Sequence, residues 1–251
     1  MTFSQKDIFL VTGASSGIGK AVCIDLNAQG AFVIACARNS KDIQDLKDIS
    51  PYPDNFAIEE LDLSNPNKDI NSWLKTLVNN YGRLKGMALI AGIQNIVPVS
   101  GITQDKLEQI LQINLVSNIF LSKAFIDRRI NAGPGSSIVF MSSVSSKKGE
   151  GGLSMYAASK GALNSFAKSL AKEVSSKGIR VNSVLAGMIK TNLLKKWSHI
   201  YTEEYLIKLN KQYPLGLGDL DGVIGPIRFL LSEDSKWVTG TEVVVDGGSL
   251  L

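Results

Sequence analysis

The stretch TGASSGIG, residues 12 to 19, constrains this chain more than any other, because of what flanks it. It follows a short apolar run, Ile8–Thr12, and leads into the helix-like segment KAVCIDLNAQG. A glycine turn between a strand and a helix aims backbone N–H groups and the positive end of the helix dipole at one point, where a pyrophosphate is stabilised. Gly13 permits the tight turn, Gly17 lets phosphates approach the backbone, and Gly19 lets helix and strand pack closely. At the first strand–helix junction of a chain, this spacing is a dinucleotide-binding signature.

The alternation of short apolar runs and longer amphipathic segments continues to the end of the chain. Strands are expected at Ile8–Thr12, Phe32–Ala37, Phe56–Glu60, Met87–Ala91, Ser137–Ser142, Arg180–Leu185 and Glu242–Val245. Helix-length segments include Gly17–Gln29, Asp105–Arg128, Tyr156–Ser176 and Gly222–Leu231. The strand candidates lack polar alternation, so both faces are expected to be buried in a parallel sheet with helices on either side. Right-handed crossovers then give an α/β, doubly wound fold around a seven-stranded parallel sheet. No repeat or linker divides the chain, which predicts one domain over residues 1–251. A Lys- and Tyr-bearing insert at 188–213 is placed to act as a substrate lid. His199, the one histidine, falls in that insert and reads as an exposed side chain of a charged helix.

Composition removes several classes of function. The net charge of +4 is small and its Lys and Arg are scattered, which argues against nucleic acid as a partner. Cys23 and Cys36 lie in apolar contexts and suit reduced core residues, not a disulfide framework or a metal site. No stretch of 18 apolar residues and no signal-type N-terminus is present, so no membrane association and a cytoplasmic location are expected.

The end of the second strand bears on the cofactor. A carboxylate there would accept hydrogen bonds from a ribose 2′-OH. The sequence ACARNS instead has Arg38, whose guanidinium can grip a 2′-phosphate bidentately, with Asn39, Ser40 and Lys41 able to assist. NADPH is therefore expected in preference to NADH.

A second cluster lies in SSVSSKKGEGGLSMYAASK, residues 142 to 160. Reducing a carbonyl by hydride requires a proton donor for the developing alkoxide. A phenol with its ordinary pKa of about 10 is poorly poised at neutral pH. Lys160, one helical turn after Tyr156 and on the same face, would lower the pKa of that phenol.

Taken together these residues resemble the classical short-chain dehydrogenase/reductase family along essentially the whole chain. TGASSGIG is similar to the family's TGxxxGxG, and Tyr156 to Lys160 to its YxxxK. Ser143, thirteen residues before the tyrosine, matches the catalytic serine, and Asn114 in LQINLVSN the helix asparagine. Asp62 and Leu63 match the acidic pair that faces adenine, and WVTGTEVVVDGG the closing strand. The resemblance implies a Rossmann fold and a catalytic set of Asn114, Ser143, Tyr156 and Lys160. In it, Ser143 bonds the substrate carbonyl, Asn114 sustains a water chain to the lysine, and Lys160 also holds the nicotinamide ribose. The implied cofactor contacts are Gly13, Ser15, Ser16, Gly17, Ile18, Gly19, Arg38, Asp62, Leu63, Ala91, Gly92, Asn114, Tyr156, Lys160, Gly187, Ile189 and Thr191.

Two stretches depart from the family pattern. Where it usually has NNAG, this chain has Leu89, Ile90, Ala91 and Gly92, so amide hydrogen bonds near the adenine pocket are lost. In LAGMIKT, Ala186 stands for a proline beside the nicotinamide, so that loop is expected to lose rigidity. Length and closing motif are most similar to the 3-oxoacyl-[acyl-carrier-protein] reductase branch. Arg128, Arg129 and Lys172 are candidates to meet an acidic carrier protein on the active-site side. Sugars, polyols and other small secondary alcohols remain alternative substrates, and a non-catalytic NADP sensor or scaffold is the alternative of another class. Assembly as a homotetramer or homodimer is implied through the helices around Asp105–Arg128 and Tyr156–Ser176. In the connector, Ser145, Ser146 and Glu150 are expected to be free to contact substrate or water.

Overall fold

The computed structural model describes residues 1–190 and 202–251. Its strands are β1 (Ile8–Thr12), β2 (Phe32–Ala37), β3 (Phe56–Glu60), β4 (Gly86–Leu89), β5 (Ser137–Ser143), β6 (Arg180–Ala186) and β7 (Glu242–Val245). The helices are α1 (Gly17–Ala28), α2 (Asp45–Ile49), α3 (Ile70–Tyr81), α4 (Gln104–Leu111), α5 (Ser117–Phe125), α6 (Ser154–Val174), α7 (Glu203–Asn210) and α8 (Leu220–Leu231). All seven strands pair in parallel, in the order β3-β2-β1-β4-β5-β6-β7.

Successive strand residues point to opposite faces, and both faces here are covered. Ile8 and Leu10 of β1 join a core with Leu74 and Leu77 of α3, Phe125 of α5 and Leu163 of α6. Phe9 and Val11 join the opposite core with Val22 and Leu26 of α1 and Ile227 and Leu230 of α8. The edge strands are less enclosed: β3 is buried only at its start, and β7 is partly exposed throughout.

Two boundaries depart from the sequence expectation for a local reason. β4 stops at Leu89, short of Ala91, because the amides of Ile90 and Ala91 turn to the hydroxyl of Thr12, each at 3.1 Å. The single helix expected over Asp105–Arg128 is α4 and α5 joined by a π-turn, Gln112–Val116, and ends at Phe125. A one-residue bulge of this type leaves the apolar rhythm nearly intact and is common at functional sites. β6 opens on a buried Arg180, whose guanidinium donates to the carbonyls of Leu230 and Ser232 at 2.7 and 2.9 Å. The cation thereby satisfies carbonyls at the C-terminal end of α8, where positive charge is favoured.

Candidate active site

The connections from β1 and β4 leave the sheet in opposite directions, so a crevice opens between their carboxyl ends. It holds a cavity of about 420 Å³. The expected cofactor residues Gly13, Ser15, Ser16, Gly17, Ile18, Gly19, Arg38, Asp62, Leu63, Ala91, Gly92, Tyr156 and Lys160 all line it. Gly13 sits at φ +73°, in the left-handed region that side chains disfavour. A Cβ at Gly19 would lie 2.2 Å from the carbonyl oxygen of Gly13, so no other residue fits there. Ser16, at the N-terminus of α1, makes no side-chain cap. The first-turn N–H groups are thus left for a ligand, and the turn fits a pyrophosphate. At the end of this cavity where adenine is expected, Asp62 accepts from the amide and hydroxyl of Ser64 at 2.9 and 2.7 Å, which holds its carboxyl below the usual range.

A second cavity of about 400 Å³ continues from the first and shares Ile18, Gln94, Met141 and Tyr156 with it. Ser143, Lys148, Glu150, Gly187, Ile189 and Gln212 are among its walls. Tyr156 stands at the seam between the two. Gly187 and Ile189, expected at the cofactor, belong to this second cavity.

The four expected catalytic residues come from three elements. Tyr156 and Lys160 lie on α6, with the ammonium 5.7 Å from the centre of the phenol ring. Lys160 is buried and donates to the carbonyl of Met141 at 2.8 Å. Burial pushes its pKa down to about 8, which leaves it mostly charged at neutral pH. Ser143 closes β5, and its hydroxyl faces that of Ser145 at 3.2 Å. Asn114 lies within the π-turn, fully buried, and does not reach the lysine directly. Its carbonyl oxygen accepts from the Ile93 amide at 2.8 Å, and its amide donates to Ile93 O and Ser159 Oγ at 2.9 and 3.0 Å. Asn114 therefore pins the turn after β4. Gly92 fits between it and the lysine, since a Cβ there would lie 3.2 Å from both Asn114 Oδ1 and Lys160 Nζ.

Four expectations are corrected. Ser145 is buried against Ser143, and Ser146 bonds the Ser143 carbonyl and the Asn164 amide, so neither is a free contact. The end of β2 is not free of acid, because the turn Ser40–Ile43 brings Asp42 into the cavity wall beside Arg38. Asn39 and Ser40 are also engaged, the first by the Lys41 amide and the second by Glu60. Arg128 and Arg129 lie just past the end of α5, and Lys172 lies in the last turn of α6. There Leu84 pairs with Asn131 and Val174 meets Ile179, at the amino ends of the strands, opposite the crevice of the same chain. Thr191 and His199 lie outside the described residues.

Sequence reasoning missed Asp42 and Tyr213, and took Ser159 as structural without its bond to Asn114. Only Tyr213 carried a visible signal, as an aromatic in the insert. Where the family's NNAG is replaced, Thr12 holds the main-chain amides of Ile90 and Ala91, Leu89 is buried, and Ile90 packs on the core. Cys23 and Cys36 are buried free thiols, both with raised pKa through desolvation. Among the described residues no helix is long and apolar enough to cross a membrane.

A family model described as enoyl-(acyl carrier protein) reductase matches residues 13–249. The chain is 33% identical to the 3-oxoacyl-[acyl-carrier-protein] reductase FabG of Haemophilus influenzae, over 98% of this chain and 99% of that protein. It is 31% identical to human (3R)-3-hydroxyacyl-CoA dehydrogenase, over 97% and 95% respectively. Among solved structures, 4-hydroxyisoleucine dehydrogenase complexed with NADH superposes with a TM-score of 0.86 at 28% identity, covering 97% of this chain and 98% of that one. A short-chain type dehydrogenase/reductase from Mycobacterium ulcerans gives 0.89 at 27% identity, covering 98% and 90%.

Proposed function

The chain belongs to the short-chain dehydrogenase/reductase family, and from that premise we propose that it reduces a ketone, in particular a 3-oxoacyl-type substrate, with NADPH and with Tyr156 as general acid. The observation that carries this reading is the position of Tyr156 where the two cavities meet, above the buried Lys160.

The dinucleotide, when bound, supplies the hydride. The amides of the Gly13–Gly19 turn would hold its pyrophosphate, and Arg38 would take a 2′-phosphate. Ser143 turns its hydroxyl from Ser145 to the substrate oxygen, and Tyr156 gives that oxygen its proton. The ammonium of Lys160 favours the phenolate that results and would bond the nicotinamide ribose. Asn114 keeps the turn after β4 in place, from which a water chain can return a proton to the lysine. In the reverse direction Tyr156 is the base. A second cavity with walls as different as Ile18, Met188, Lys148 and Gln212 suits an extended substrate with polar groups. Exposed Leu107 and Phe120, on α4 and α5, support assembly as a homodimer or homotetramer.

The test is NADPH consumption with a panel of 3-oxoacyl thioesters, simple ketones and keto sugars. Turnover is expected with at least one ketone class, and best with the thioesters. Preference for a sugar would move the chain to the polyol reading. Tight NADPH binding with no turnover on any of them would overturn the enzyme in favour of a nucleotide sensor.

A further inference from the structure

The loop that follows β6 forms one wall of the second cavity with Ala186, Gly187, Met188 and Ile189. It contains no proline, so nothing in its own covalent structure fixes φ there. Its main chain is held at three points by other main-chain groups. The Gly187 amide donates to Val245 O at 2.9 Å, the Gly218 amide to Met188 O at 3.0 Å, and the Lys190 amide to Gly218 O at 2.9 Å. The Met188 amide differs: its acceptor is the hydroxyl of Tyr213, at 3.1 Å.

Tyr213 is buried and is itself tightly placed. Its ring lies against Gly187, where a Cβ would come within 2.9 Å of Cε1, and its carbonyl takes the Gly216 amide at 2.8 Å. The next segment bonds the C-terminal turn through Leu215 N and Gly247 O at 3.0 Å. The phenol therefore joins three pieces of chain: the loop after β6, the turn after α7 and the turn after β7. Loss of its hydroxyl would leave a half-buried amide without an acceptor, which favours opening of the loop.

We propose that Tyr213 is a positioning residue that clamps the loop after β6 through the Met188 amide, and so shapes the site at its nicotinamide end. The cofactor half of this statement rests on the functional reading above; the clamp itself does not. Tyr213→Phe keeps the ring on Gly187 and removes only the acceptor. In the cofactor-free protein, hydrogen exchange at the Met188 amide is expected to speed up about five- to tenfold. The Kd for NADPH, read by its fluorescence, is expected to rise about three- to tenfold, with Tm within about 4 °C of the wild type. Tyr213→Leu, which also removes the ring, is expected to change both in the same direction by more. Unchanged exchange in Tyr213→Phe would overturn the clamp. Faster exchange with an unchanged Kd would overturn the positioning role and leave Tyr213 structural. A wild-type chain that bound neither NADPH nor NADH would overturn the functional reading, while the exchange rate would still judge the clamp.

Discussion

The two ends of the crevice are built on opposite principles. Around the glycine turn after β1 the chain works with backbone: glycines at φ +73° and +53°, a helix N-terminus without a side-chain cap, and a Gly19 that no larger residue can replace. Around the second cavity it works with side chains borrowed from distant segments, Ser143 from β5, Gln94 from the loop after β4, Met188 from the loop after β6 and Tyr213 from beyond α7. Backbone requirements restrict the sequence severely and locally. Side-chain walls restrict it loosely and only in three dimensions, which is how one fold can serve many substrates. Tyr156 and Lys160 sit where the two kinds of construction meet.

The strongest way to separate the two ends is Tyr156→Phe. It removes the proposed proton donor from the seam and leaves the glycine turn untouched. Turnover on whichever ketone proves active is expected to fall about 10²–10⁴-fold. Fluorescence titration should meanwhile find the Kd for NADPH within about threefold of the wild type. Near-normal kcat in this variant would remove Tyr156 from the acid role. A Kd that rose as steeply as kcat fell would show the two ends to be one unit.

Lys160 gives the next largest effect, read as stability. Its folded pKa of about 8 lies below the ordinary lysine value of 10.5 because burial disfavours the ammonium. Between those limits the unfolded chain binds the extra proton, so stability rises with pH through this window. The full rise is ~3 kcal/mol at 1.36 kcal/mol per pKa unit. Below about pH 8 the whole penalty for the buried charge is present. Cys23 and Cys36, whose thiols burial pushes up, lower stability over the upper part of this window in any variant that keeps them. The rise is therefore read as a difference. In denaturant unfolding of the cofactor-free protein from pH 7.5 to 10.5, the stability of Lys160→Met should fall relative to that of the wild type. Equal slopes for the two proteins would mean that water reaches the ammonium and relieves it.

These contrasts explain which parts of the molecule were legible in advance. The parallel sheet was, because β1, β2, β4, β5 and β6 are buried on both faces and cannot carry polar alternation. The glycine turn and the Tyr156–Lys160 spacing were, because each is fixed by one element of local geometry. The π-turn at Asn114 was not, since the bulge shifts the helix register by a single residue. Nor were the partners Ser159 and Ile93, which Asn114 reaches across the fold. The basic residues at the C-terminal ends of α5 and α6 show the reverse error. Their charge was plain in the sequence, but which end of the sheet they flank follows only from helix length and direction.

Asp42 offers the finest test, at the backbone-built end. Arg38 alone suggests a preference for a 2′-phosphate, but the fold places a carboxylate in the same cavity wall. A carboxylate there can accept from a ribose 2′-OH and would repel a 2′-phosphate, so the two side chains pull the specificity in opposite directions. Both are exposed, which limits the effect of either charge to about 0.2–1 kcal/mol. Asp42→Asn is therefore expected to raise the ratio of kcat/KM for NADPH over NADH by about two- to fivefold. Arg38→Leu should move it the other way. An unchanged ratio in Asp42→Asn would place that carboxylate outside the reach of the ribose, and Arg38 would then set the preference at this end alone.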